Sequence, residues 1–215
     1  MKNYLNFESE IKDLETEIDK LKDPFNQEGL SEVDTQKISR MQNELDEKLK
    51  SIYSKLDPWQ TTLVARHEER PKSKFFIENL IEDFIPLMGD RNYGEDSSLI
   101  SGFGKFQGKS VLVLGQEKGD DLDSRIERNF GMMRPEGYRK SIRLIKLADK
   151  FNIPIVTFID TPGAYPGVGA EERGQAEAIA KSIECSMSLG VPNISIIIGE
   201  GGSGGAIALA SSNKI

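Results

Sequence analysis

Two short runs of β-branched and aliphatic residues, each leading directly into a glycine-rich turn, constrain this chain most. Ile155–Ile159 leads into the turn that starts at Thr161, and Ile194–Ile198 leads into the turn Glu200–Gly205. Short buried strands that alternate with helices are typical of a parallel sheet with crossover connections. A strand that ends at a helix N-terminus leaves backbone N–H groups free to stabilise negative charge. The pattern therefore predicts an α/β fold and a site built mainly from backbone amides.

The composition narrows the class of protein. A length of 215 residues allows one domain of ordinary size with an appendage, and the net charge of −7 argues against non-specific binding of nucleic acid. The N-terminus lacks a signal-peptide pattern, and no apolar run reaches membrane-spanning length. We therefore expect a cytoplasmic protein with no membrane partner.

Cysteine and histidine are too scarce for several kinds of site. Cys185 and His67 are the only residues of their types, so we expect no disulfide and no metal site within this chain. A histidine-dependent triad near the glycine turns is excluded for the same reason. His67 is interpreted as a surface or structural histidine.

The first part of the chain predicts a helical hairpin. Residues 4–22 and 33–56 place apolar residues at helical spacing, on either side of a break at Asp23-Pro24. We interpret residues 1–72 as a helical arm and linker, used for packing or oligomerisation. Residues 73–215 are predicted to form a second domain.

The second domain predicts helices at 75–87, 135–151 and 171–189, a β-hairpin of Leu99–Phe106 and Val111–Gly115, and a last helix after the second glycine turn. The resulting order is ββα, βα, βα, with a further strand starting at 212–215. We expect this incomplete repeat to be part of a longer chain. The helix at 135–151 has a basic face, which is solvated or meets an acidic partner or a phosphate-bearing ligand: Arg139, Lys140, Arg143, Lys146 and Lys150.

Two nucleotide-binding interpretations do not fit the structural context that each motif requires. Residues 199–204 fit G-x-G-x-x-G, but a dinucleotide fold has this turn in its first βα unit and an acidic residue about 20 positions later. Gly108-Lys109-Ser110 resembles a phosphate-binding loop, with 160–163 and 213–214 as further GTPase-like motifs. Phe103 stands where such a loop needs glycine, and a strand rather than a helix follows.

A serine-hydrolase elbow, G-x-S-x-G, also matches at residues 201–205. It lacks a nearby histidine base, so Ser203 is interpreted as a turn residue. The remaining interpretation is an oxyanion site, in which Gly204 and Gly205 donate backbone N–H groups at a helix N-terminus. Two further groups are predicted to bind the ligand, namely Gly202 and Ser203, and a rigid loop of Thr161, Pro162, Gly163, Ala164, Tyr165, Pro166 and Gly167.

Four stretches carry a family resemblance: Asn129–Met132, Pro135–Lys140, Phe158–Gln175 and Ile198–Ala206. With these motifs the chain closely resembles the α-subunit family of the bacterial acetyl-coenzyme A carboxylase carboxyltransferases. The resemblance also covers the helical arm and Trp59-Gln60, and therefore nearly the whole chain. The resemblance implies a further C-terminal part, which in the family continues the fold.

The resemblance implies a crotonase-like fold of repeated ββα units. It also implies transfer of a carboxyl group from carboxybiotin, held on the biotin carboxyl carrier protein, to acetyl-CoA, which gives malonyl-CoA for fatty acid synthesis. The implied partners are a zinc-containing β subunit, in a heterotetramer of two α and two β subunits, and an ATP-using biotin carboxylase. By resemblance, the Gly204 and Gly205 amides stabilise the biotin enolate and the Thr161–Gly167 loop packs on the biotin ring. Arg173 and the basic helix would have a supporting role, in contacts with the phosphates of coenzyme A or with the partner.

Two alternatives remain open. One is a crotonase-fold hydratase, isomerase or decarboxylase that acts alone on an acyl-CoA, with Glu200 as its carboxylate base. The other is a non-catalytic, truncated α subunit that only assembles with its partner.

Overall fold

The computed structural model describes residues 3–23 and 35–215. The chain divides into two compact units, Met1–Glu68 and Glu69–Ile215, and the predicted domain boundary after residue 72 stays a prediction. The helices are α1 Ser9–Lys22, α2 Thr35–Tyr53, α3 Pro58–Ala65, α4 Ser73–Leu80, α5 Leu122–Glu127, α6 Pro135–Lys150, α7 Val168–Glu172, α8 Gln175–Met187 and α9 Ser203–Ala210. The strands are β1 Glu82–Pro86, β2 Leu99–Phe106, β3 Lys109–Gln116, β4 Ile155–Thr161 and β5 Asn193–Gly201.

The first unit is the predicted helical hairpin. Ile18 of α1 packs with Ile38 and Met41 of α2. At the other end Glu10 forms a 2.8 Å ion pair with Lys48, so the two helices run antiparallel. Pro24 and residues 33–34, which the prediction included, lie outside the described residues.

A five-stranded sheet organises the second unit, with the strand order β1-β2-β3-β4-β5. β1, β2 and β3 pair antiparallel, whereas β3, β4 and β5 pair parallel. The β2–β3 hairpin lies where the sequence predicts it, and β3 starts at Lys109. Gly108-Lys109-Ser110 is therefore a hairpin turn that enters a strand, which confirms that it is not a phosphate-binding loop.

Helices cover the two faces of this sheet unequally. On one face the helices α6, α8 and α9 bury a large core around β3 and β4, which includes Leu112, Leu114, Ile155 and Ile159. On the other face α4 covers a smaller core of Ile77, Ile81, Val111, Val113, Phe158 and Ile198. The helices that follow the glycine turns pack into the larger core, so this core fixes the position of the site. None of the described helices is long and apolar enough to cross a membrane.

The predicted helix at 75–87 is wrong in its second half. α4 ends at Leu80, and Glu82–Pro86 forms the edge strand β1 instead. Gly102 of β2 permits this pairing, because a side chain there would overlap the carbonyl oxygen of Ile85. Pro86 is tolerated because β1 lies at the edge of the sheet. The apolar spacing fits a helix locally, but pairing with a distant strand decides the outcome.

The helix predicted at 171–189 is confirmed over most of its length as α8, but it starts later than predicted, after the separate short helix α7. α7 ends at Glu172 and α8 starts at Gln175. Between them Gly174 has a left-handed φ of 73°, which interrupts the helix. The predicted turn Glu200–Gly205 is shorter than expected, since β5 continues to Gly201 and α9 starts at Ser203.

Candidate functional site

The two glycine-rich turns meet at one edge of the sheet. β3, β4 and β5 are parallel, so the loops that follow them lie at the same edge. The N–H of Gly202 donates to the carbonyl of Thr161 at 2.8 Å. A Cβ on Gly205 would lie 2.5 Å from the carbonyl carbon of Gly163, so the two backbones touch. The structure thus brings the predicted loop and the predicted glycine turn into direct contact.

The start of α9 presents amide N–H groups that have no acceptor within the helix. Its first intrahelical hydrogen bond runs from the Ala206 N–H to the Gly202 carbonyl at 3.1 Å. The N–H groups of Ser203, Gly204 and Gly205 come before this bond, where a helix has no internal acceptor for them. The helix dipole adds positive potential at the same point. This end of α9 can therefore stabilise a negatively charged oxygen.

The two predicted oxyanion glycines are not equivalent. A Cβ on Gly205 would collide with the backbone of Gly163 and Ala164, whereas a Cβ on Gly204 would meet only the side chain of Ile179, at 4.0 Å. Gly205 is buried and Gly204 is half-buried. Gly205 thus sets the close packing of the turn on the loop, whereas Gly204 has room for a Cβ in ordinary contact with Ile179.

Ser203 is exposed and has a left-handed φ of 50°, an uncommon conformation for a residue with a side chain. The single histidine, His67, hydrogen-bonds through Nε2 to the carbonyl of Asn3 within the first unit. The second unit has no histidine, so Ser203 has no imidazole base there.

The loop after β4 is anchored from inside by Thr161. Its hydroxyl donates to the carbonyl of Gly131 at 2.7 Å and also contacts the backbone of Gly163. Thr161 is fully buried, whereas Pro162 and Pro166 are exposed and the residues between them are half-buried. The side chain of Thr161 therefore holds the loop, and the face that a ligand could contact starts at Pro162.

Two buried glutamines that sequence reasoning missed support the two turns. Gln175 donates through Nε2 to the carbonyls of Met133, at 2.8 Å, and Tyr165, at 3.2 Å. Gln116 donates to the carbonyl of Gly205 at 2.9 Å. The sequence signal that could identify them is a polar residue at the end of an apolar strand, for Gln116, or at the start of a helix, for Gln175.

A second missed group is a charged cluster of Lys118, Asp160 and Glu200. The Lys118 ammonium lies 2.7 Å from the Asp160 carboxylate and 2.5 Å from that of Glu200. Asp160 also accepts the N–H of Glu200 at 2.9 Å. Glu200, the candidate base of the stand-alone acyl-CoA enzyme, is thus held in an ion pair.

The basic side chains near the site are mostly paired within the chain. Arg173 forms a bidentate pair with Glu136 at 3.1 and 3.2 Å, and Arg139 pairs with Asp90 at 2.8 Å. Lys140 was predicted on a solvated or partner-facing surface. That prediction is wrong, because Lys140 is 1% exposed.

The Lys140 ammonium donates to Glu95 and to the carbonyls of Asp96 and Leu99. Burial lowers the pKa of Lys140, while its hydrogen bond to Glu95 acts in the opposite direction. Among the described residues, no group of three or more histidine, cysteine, aspartate or glutamate side chains is placed to hold a metal ion.

Comparison with known proteins points to one family. Residues 4–215 match the family described as acetyl co-enzyme A carboxylase carboxyltransferase-like. The chain is 80% identical over its whole length to the acetyl-coenzyme A carboxylase carboxyl transferase subunit alpha of Pelagibacter ubique, and 51% identical to that of Xanthobacter autotrophicus. It spans 58% of the length of the first relative and 68% of the second.

Solved structures show the same fold at low identity. Transcarboxylase 12S matches 67% of this chain and 26% of its own, with a TM-score of 0.56 and 22% identity. The β subunit of Pseudomonas aeruginosa geranyl-CoA carboxylase matches 70% of this chain and 26% of its own, with a TM-score of 0.54 and 17% identity. The chain shares its fold with these two proteins, and the predicted α/β, crotonase-like fold class is confirmed.

Proposed function

The chain belongs to the acetyl-coenzyme A carboxylase carboxyltransferase-like family, and from this premise we propose that it forms the biotin-facing half of a carboxyltransferase site. The proposed reaction transfers a carboxyl group from carboxybiotin to acetyl-CoA and yields malonyl-CoA. Carboxybiotin, when bound, supplies the carboxyl group and a ureido oxygen on which negative charge develops.

The observation that carries the proposal is the free start of α9. The amides of Gly204 and Gly205 precede the helix's first internal hydrogen bond, and Gly204 is only half-buried. These donors would hold the charged oxygen in a fixed geometry. One such donor is typically worth about 3 kcal/mol of barrier.

The loop Pro162–Gly167 would supply a surface that fits the shape of the ligand. Gly205 packs against its backbone, and Gln175 holds the carbonyl of Tyr165 from the buried side. Arg134 lies with its guanidinium carbon 5.6 Å from the centre of the Tyr165 ring, which restrains that ring. A flat ligand would lie against the exposed side of this loop, next to the amides of α9.

A site of this kind needs a second chain. The relatives are named as α subunits, so we propose a β subunit that binds acetyl-CoA and carries zinc, in an assembly of two α and two β subunits. Further proposed partners are the biotin carboxyl carrier protein and an ATP-using biotin carboxylase, in the cytoplasm.

The test fills the space beside the amides without disturbing the fold. Gly204→Val places a branched side chain where a Cβ has room. In the whole gene product, assembled with its β subunit, we expect the variant to fold and to lose malonyl-CoA formation about 100-fold. Gly94→Val is the matched control, because a Cβ on Gly94 would have no neighbour within 4 Å.

The results separate the alternatives. Full activity of an assembled Gly204→Val variant would refute the oxyanion role. A wild-type assembly that forms without any carboxyl transfer would favour a subunit that only assembles. Turnover of an acyl-CoA by the chain without a β subunit would favour the stand-alone crotonase enzyme.

A further inference from the structure

The cluster of Lys118, Asp160 and Glu200 lies where the two site loops begin. Asp160 is the last residue before Thr161 on β4, and Glu200 lies two residues before Gly202 on β5. Lys118 follows β3, the next parallel strand of the sheet. The three charges thus come from three adjacent strand ends.

Lys118 joins these strand ends directly. Its ammonium contacts Asp160 at 2.7 Å and Glu200 at 2.5 Å, and therefore bridges β4 and β5 from β3. The Asp160 carboxylate accepts the Glu200 N–H, and a Cβ on Gly199 would lie 2.5 Å from its oxygen. Only 19% of the Lys118 side chain and 7% of the Asp160 side chain are exposed, so water screens the pair weakly.

A strained turn fixes the alkyl chain of Lys118. Asn129, Phe130 and Gly131 have left-handed φ values of 47°, 55° and 78°. A Cβ on Gly131 would lie 2.8 Å from Cγ of Lys118 and 3.0 Å from the carbonyl oxygen of Asp160. Consecutive left-handed residues are costly, and they persist where the surrounding structure requires them. Here they bring the Gly131 backbone against Lys118 and within reach of the Thr161 hydroxyl, at 2.7 Å.

We propose that Lys118 is a positioning residue for carboxyl transfer, which sets the spacing between the Pro162–Gly167 loop and the amides of α9. Without its charge, Asp160 and Glu200 are two carboxylates close together, and their repulsion spreads the two turns. The proposal rests on the proposed function for its kinetic effect. Its structural effect can be measured without any reaction.

The first experiment measures amide hydrogen exchange by mass spectrometry on the chain itself. In Lys118→Met we expect peptides that cover residues 161–167 and 201–205 to exchange about tenfold faster at their hydrogen-bonded amides, because one ion-pair network is lost. Those amides include Tyr165, which donates to Met133, and Gly202, which donates to Thr161. Lys118→Arg keeps a cation that can bridge two carboxylates, and should restore most of the protection. Lys181→Met is the matched control, since it removes the exposed pair with Glu177 and should leave both turns unchanged.

The second experiment measures steady-state kinetics in the whole gene product assembled with its β subunit. A shift of about 1 Å between the turns predicts a kcat about 100-fold lower in Lys118→Met, with KM changed much less. Recovery in Lys118→Arg supports positioning by charge. Unchanged kcat in Lys118→Met, or unchanged exchange in both turns, overturns the proposal.

A further variant keeps the test decisive if Lys118→Met does not fold. Glu200→Gln retains the pair between Lys118 and Asp160, so exchange should rise at 201–205 and stay constant at 161–167. No change in exchange at 201–205 refutes the proposed role of Lys118. If the wild-type assembly transfers no carboxyl group, the proposed function fails, and the exchange data alone decide the role of Lys118.

Discussion

At the scale of single residues, neighbouring glycines perform different tasks. Gly205 is buried against the backbone of Gly163 and Ala164, whereas Gly204 is half-buried and has room for a Cβ beside Ile179. Their amides precede the same first hydrogen bond of α9, so only the surroundings of each Cα distinguish them. A pair that looks uniform in sequence therefore contains one tightly packed position and one position that tolerates a side chain.

This difference predicts opposite effects on stability. Gly205→Ala inserts a methyl group into a closed backbone contact and should lower the free energy of unfolding by about 1–3 kcal/mol. Gly204→Ala has room for its methyl group and should keep or raise stability, by up to about 1 kcal/mol, because alanine favours helix. Urea denaturation of both variants measures the difference. Equal destabilisation by the two substitutions would contradict this packing.

At the scale of elements, the turn before β2 is tied to α6 by a buried carboxylate. Asp90 accepts the backbone N–H groups of residues 92–94 and pairs with Arg139 of α6. Burial alone raises the pKa of Asp90, but the hydrogen bond from Arg139 and those from the backbone outweigh it. Together they lower the pKa to about 2.

The sign of the pH effect follows from this shift. Because the pKa is lower in the folded state than in the unfolded state, the contribution to stability is complete above about pH 4. It is lost as the pH falls towards 2, and amounts to about 2 kcal/mol. Asp90→Asn should thus be less stable than the wild type at pH 7, and the two should converge near pH 2 in denaturant titrations. A difference that stays constant with pH would contradict the assignment.

Sequence patterns predict most of the helices and strands correctly. They fail where contacts between residues far apart in the chain determine the structure. The alternation of strands, glycine turns and helices was sufficient to predict the parallel part of the sheet and a site formed by the two turns. Nothing local indicates that Ile85 pairs with Phe103, so the apolar spacing predicts a helix where the structure has the edge strand β1. The burial of Lys140 also depends on carbonyls and a carboxylate more than 40 residues away in the chain. The same holds for Gln116 and Lys118, whose partners lie on β4, β5 or α9.

At the scale of the whole molecule, each unit has its own core. The apolar residues of the helical hairpin pack with one another, and both cores of the sheet lie within residues 69–215. The glycine turns, their glutamine supports and the charged cluster all belong to this second unit.

We therefore expect residues 69–215 to fold without the first unit. The truncated chain should unfold cooperatively, with a denaturant m-value reduced in proportion to the surface removed. Its amides at 161–167 and 201–205 should keep the exchange protection that they have in the 215-residue chain. A broad, non-cooperative transition, or loss of protection at both turns, would refute this independence.

The free start of α9 has a consequence for how mutations in this protein are interpreted. A peptide N–H belongs to every residue except proline, so replacing a residue here by alanine leaves the donor in place. Alanine scanning would thus pass over the amides of Ser203 and Gly204, report only the packing of Gly205, and highlight supporting side chains such as Gln116 and Gln175. In inherited or laboratory variants, loss of function at these positions should follow the gain of atoms, in proportion to the size of the new side chain.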